Sequence, residues 1–146
     1  MPVTRADEAP GGTRGRRTAA GFALVVVIVA GLCVHLLLPD TAATDIAGDA
    51  LYAVAAYSFV VAVAPRLVPL WVGAIAAAWC VAVELFQLTG IPLAISSFTP
   101  AVLVLGTVFD ARDLVIYVSA IIVAAGMDAG AVAFLASRRA SGTAPE

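Results

Sequence analysis

From Ala50 to Phe109 the chain runs sixty residues with two charges, Arg66 and Glu84. A water-soluble domain has about 25% charged residues to coat its surface. Here 12% are charged and 62% hydrophobic. A soluble enzyme, a nucleic-acid binder and a disordered chain are all excluded on that ground. Four spans of about 20 residues each use roughly 80 of the 146 residues. The fold class expected is an all-α membrane protein, a bundle of four transmembrane helices.

Spans are expected at about 19–38, 46–64, 68–88 and 114–136, forming a single transmembrane domain over 19–136. Residues 1–18, rich in Pro, Gly, Arg and Thr, read as a disordered cytoplasmic tail, and 137–146 as a short polar cytoplasmic tail. Residues 39–48 read as an acidic loop with Asp40 and Asp45. The first apolar run, about 20 residues, exceeds a signal-peptide core of about 7–15, so a retained helix is expected. Arg16-Arg17 lacks the apolar sequel of a twin-arginine signal, since Thr18-Ala19-Ala20 follows.

Residues 91–109 are apolar but interrupted by Pro92, Ser96, Ser97, Thr99 and Pro100. Thr99-Pro100 reads as an N-cap followed by proline at the first helical position. A helix from Pro100 to Phe109 reaches about 15 Å, too short to cross. It is expected to be a short re-entrant or interfacial helix before the last span, or part of a fifth span starting near Leu93. The positive-inside rule favours four. With four spans, seven of the eight arginines are cytoplasmic and Arg112 alone is outside. Both termini are then cytoplasmic, in a multi-pass protein of the cytoplasmic membrane.

That topology gathers the polar residues on the outer side. Asp49, Tyr52, Glu84, Gln87, Arg112, Asp113 and Tyr117 form a candidate outer polar pocket, with His35 and Asp128 behind it. Glu84 and Gln87 share a helix face, and Asp113, Tyr117 and Asp128 share a stripe. Ionised groups facing lipid are expensive, so these faces should look inward. Each residue also has a plainer role. Asp49 and Asp113 sit where they complement a helix dipole. Tyr52 and Tyr117 suit an aromatic belt, and His35 an interface. Glu84 serves equally as glue to Arg112 or a hydroxyl, and Arg112 is the expected partner of the outer carboxylates. Asp128 lies deeper, on the cytoplasmic half.

Cys33 and Cys80 sit inside apolar runs without CxxC spacing, so neither a disulfide nor a metal site is indicated. No cofactor motif is present. Gly126 and Gly130 form a GxxxG pattern that allows close packing, within the bundle or in a homodimer. Trp71 reads as an interface anchor.

Three segments carry a resemblance: Gly48-Asp49-Ala50-Leu51-Tyr52-Ala53, Val83-Glu84-Leu85-Phe86-Gln87-Leu88, and Leu103-Val104-Leu105-Gly106 leading to Phe109, Asp113-Leu114 and Tyr117. In that order they resemble a bacterial integral membrane family known as domain of unknown function 2809, over about residues 22–127. That family often has an arginine shortly before L-V-L-G, where Ile95-Ser96-Ser97 stands here. A looser likeness is to the VanZ-like membrane proteins, through an early Asp, an E-x-x-Q helix end and a later Asp. Neither resemblance implies a mechanism.

Three functions compete. The first is a non-enzymatic envelope protein whose outer pocket holds a lipid head group, a wall precursor or a membrane-protein partner. The second is a proton-coupled transporter or channel subunit using Glu84, Asp113 and Asp128 as a relay. The third, a membrane hydrolase or transferase, lacks HExxH, GxSxG, P-loop and DxxD motifs. Membrane lipids are expected partners and nucleic acid is not.

Overall fold

The computed structural model describes residues 10–94, 97, 102, 104–106 and 108–142. Four of its helices are long and apolar enough to cross a membrane, as the charge-poor sequence requires. They are α1 (Pro10–Leu37), α2 (Ala42–Val63), α3 (Pro69–Gln87) and α5 (Ala111–Gly142), with a short α4 (Ile91–Ala94) after α3. Among the described residues there is no strand. Of the short helix expected at 100–109, residues 100, 101, 103 and 107 lie outside the described residues, and 102, 104 and 105 are helical.

Helix limits follow local chemistry. Thr41 caps α2: its hydroxyl accepts from the Thr44 N–H at 3.3 Å, and the Thr44 hydroxyl accepts from the Thr41 N–H at 2.9 Å. This reciprocal cap starts α2 at Ala42, four residues before the expected Ile46. Most of the expected acidic loop is therefore helical, and Asp45 and Asp49 lie one turn apart on one face. Pro69 opens α3 at a position where its missing N–H costs nothing. Gly90, at φ +72°, closes it by donating to the Gln87 carbonyl. Asp110 caps α5, its carboxylate accepting from the Arg112 N–H at 2.8 Å. The last helix thus begins at Ala111 rather than Leu114.

The core belongs to three helices. α2 contributes Ala53, Tyr57 and Val61, α3 contributes Val72, Ala76 and Cys80, and α5 contributes Tyr117 and Ile121. Steps of four keep each set on one stripe. α1 lies outside this core, packs along α2, and buries none of its apolar window. Large apolar side chains face outward on every long helix, among them Phe22, Phe59, Leu85 and Ile122. Such a surface fits hydrocarbon and would be a liability in water. Gly126 and Gly130 face open space: a methyl added at either meets nothing within 4 Å.

Residues 10–18, expected as part of a disordered tail, form the first turns of α1. The physical reason is Arg16, which is anchored. Its Nε and Nη2 donate to both Asp128 carboxylate oxygens, at 3.0 and 2.5 Å. Its Nη1 donates to the Pro65 and Leu67 carbonyls, at 2.7 and 2.6 Å. Tyr57 adds an O–H donor to Asp128 at 2.7 Å. The Arg16 and Asp128 side chains are each only 14% exposed. This clasp ties α1 to α2, to the α2–α3 turn and to α5.

Candidate functional site

The polar residues form two groups at opposite ends of the bundle. The clasp closes the end that holds the α2–α3 turn. The other end holds Glu84, Gln87, Tyr52, Tyr117, Asp49, Asp113 and Arg112. Asp128 therefore does not join them. Fifteen residues separate it from Asp113, about 22 Å along α5, and the apolar layer of Val72, Ala76 and Ile121 lies between.

Glu84 is fully buried, in the last turns of α3. Tyr117 O–H donates to its Oε1 at 3.0 Å, and the Asp110 N–H donates to its Oε2 at 3.3 Å. Glu84 thus holds α3 to the start of α5 through these two bonds. Arg112 is not its partner, contrary to one sequence expectation. That guanidinium is half-exposed and lies 4.0 Å from Asp110, because the cap turn aims it outward. It does remain within electrostatic reach of Asp49 and Asp113.

One turn beyond Glu84, Gln87 donates from Nε2 to the Leu105 carbonyl at 2.8 Å. Tyr52 donates to the Val104 carbonyl at 2.8 Å and accepts from Trp79 Nε1 at 2.9 Å. Its ring lies 5.9 Å from that of Tyr117. Side chains of α2 and α3 therefore satisfy the Val104 and Leu105 carbonyls of the segment before α5. Gly106 completes the contact at φ +62°, so close to Gln87 that a Cβ there would lie 2.5 Å from Nε2.

Above this layer a cleft of about 630 Å³ opens between the end of α1, the start of α2 and the 108–113 segment. Gly31, Val34, Gly48, Val108 and Phe109 form its small or apolar walls. Its polar lining is His35, Asp40, Thr44, Asp45, Asp49, Asp110, Arg112 and Asp113. Asp49 and Asp113 lie close enough to interact electrostatically. His35, on the exposed last turn of α1, enters the cleft wall and touches neither Glu84 nor Asp128 by hydrogen bond. Among the described residues no group of three or more His, Cys, Asp or Glu is arranged to hold a metal ion. Cys33 and Cys80 are free thiols, one exposed and one buried.

Sequence reasoning missed Arg16, Tyr57 and Trp79. The signal for Arg16 was present. A lone Asp128 inside an apolar helix needs a cation, and the arginines before the first apolar run were available. Gly106 was noted within a motif, without its structural reason.

No curated protein and no solved structure matches this chain. A family model described as "Protein of unknown function (DUF2809)" matches residues 38–121, more than half of the chain. The matched segment begins at the end of α1 and stops before Asp128. It contains Glu84, Gln87, Gly106, Tyr117 and the acidic side of the cleft. With these residues and their order accounted for, the chain belongs to the DUF2809 family.

Proposed function

We propose that the protein is a non-enzymatic envelope protein that holds a cationic group in the cleft between α1, α2 and the start of α5. One observation carries this reading: five aspartates line the cleft against a single arginine. Such a lining favours a cation and repels phosphate, with strong focusing between low-dielectric walls. The ligand class is an amine, either on a lipid head group or on a wall precursor. The cleft is taken to face outward. Arg14, Arg17, Arg66 and Arg138 cluster at the opposite end, which the positive-inside rule assigns to the cytoplasm. A carboxylate relay has less support, because Asp128 is spent on Arg16 at the far end.

Native mass spectrometry of the purified chain tests the reading. The wild type is expected to retain aminophospholipid over anionic lipid, or an added amine-bearing wall peptide that competes with it. Asp49→Asn with Asp113→Asn is expected to weaken retention about tenfold, or 1.4 kcal/mol. Equal retention by the double variant, or retention of anionic lipid alone, defeats the proposal.

A further inference from the structure

Glu84 is fully buried and stands outside the acidic cleft, yet one wall of the cleft is tied to it. Its Oε2 accepts the Asp110 N–H at 3.3 Å. The turn then closes on Asp110, whose carbonyl accepts the Asp113 N–H at 3.0 Å and whose carboxylate accepts the Arg112 N–H at 2.8 Å. Asp110, Arg112 and Asp113 all line the cleft. A single buried acceptor on α3 therefore locates three cleft residues. The opposite wall has a separate origin: Asp45 and Asp49 ride on α2, whose start is set by the Thr41–Thr44 cap. A carboxyl group buried in an apolar helix is costly, and both of its hydrogen bonds go to the start of α5.

Arg112 is the charge that this turn places. It is the one arginine of the cleft lining, half-exposed, 4.0 Å from Asp110 and within electrostatic reach of Asp49 and Asp113. Its planar guanidinium sits on a long side chain and matches carboxylates well. Turned inward, it would compete with any amine for the same aspartates. We propose that Glu84 is the positioning residue of the cleft: by holding the Asp110 turn it keeps Arg112 at the rim and leaves Asp49 and Asp113 open to a cationic ligand. This assignment rests on the amine reading of the cleft and adds what controls it. Glu84 touches no ligand and acts through Asp110.

The test takes two readings on the full chain in detergent. One is retention of phosphatidylethanolamine by native mass spectrometry, and the other is the rate at which a dicarbonyl reagent modifies Arg112. Glu84→Met, close to Glu in shape but without an acceptor, is expected to weaken retention about tenfold and to slow Arg112 modification. Adding Arg112→Gln to Glu84→Met is expected to restore retention to within about threefold of the wild type, a coupling that an independent packing defect does not show. Glu84→Gln keeps an oxygen for the Asp110 N–H and is expected to match the wild type in both readings. Arg16→Ala, which weakens the fold from the far end, is expected to change neither. In the wild type, Arg112 is expected to react about as fast as the exposed Arg66. Slow reaction there overturns the proposal even if Glu84→Met does not fold. So does equal Arg112 reactivity in Glu84→Met and the wild type, or a loss of retention that Arg112→Gln does not restore. A wild type that retains no phosphatidylethanolamine defeats the amine reading instead, and Arg112 reactivity still decides the role of Glu84.

Discussion

Arg16→Ala is expected to destabilise the bundle by about 3–5 kcal/mol, because it strands the Asp128 carboxylate in a place with little water. The loss reaches further than one ion pair. The Pro65 and Leu67 carbonyls, in the turn between α2 and α3, lose the donor they share. Tyr57 keeps its bond to Asp128 and alone cannot compensate the charge. For a chain near 150 residues the melting temperature is expected to fall by about 6–20 °C. Replacing both charges, Arg16→Met with Asp128→Leu, is expected to recover much of this loss, since a neutral pair needs no compensation. A double-mutant cycle in detergent measures the coupling. A single-variant loss below about 1 kcal/mol with coupling near zero would reduce the clasp to an ordinary surface pair.

Gly106→Ala is expected to be the most damaging change of a single methyl group. Two independent effects add. At φ +62° a residue with a Cβ loses about 1–2 kcal/mol. The added Cβ would also lie 2.5 Å from Gln87 Nε2, so the bond from Gln87 to the Leu105 carbonyl must break or shift. The total expected is about 2–4 kcal/mol. Gly90 supplies the internal comparison: at φ +72° it has the same backbone demand, yet nothing lies within 4 Å of an added Cβ. Gly90→Ala is therefore expected to lose the strain alone, about 1–2 kcal/mol. Thermal unfolding of both variants tests the ordering. Equal losses would mean that Gln87 yields freely and that the packing against Gly106 matters little.

The spans were legible because scarcity of charge is a property of the whole segment and survives any error at its ends. The ends themselves were legible only where their chemistry was recognised. The start of α3, read at about residue 68, lay within one residue of Pro69. Thr41 and Thr44 cap each other through hydroxyls, and a Thr-Ala-Ala-Thr stretch does not announce a helix start. Asp49, Tyr52, Glu84, Gln87, Arg112, Asp113 and Tyr117 were placed at one end by topology alone, since helices of known direction fix depth. Their pairing was not legible, for it depends on rotation and on the turn around Asp110. That turn gives Glu84 a backbone donor and sends Arg112 outward. Asp128 shows the same limit: its partner lay 112 residues away.

That separation sets an order in time. Arg16 leaves the ribosome 112 positions before Asp128. At a synthesis rate of about 5–20 residues per second, the wait is roughly 6–20 s. Throughout it the guanidinium has to rest among head groups and water at the membrane surface. The bundle therefore cannot close helix by helix as it emerges. Its first helix is committed early to α2, and the last stitch is made only when α5 arrives.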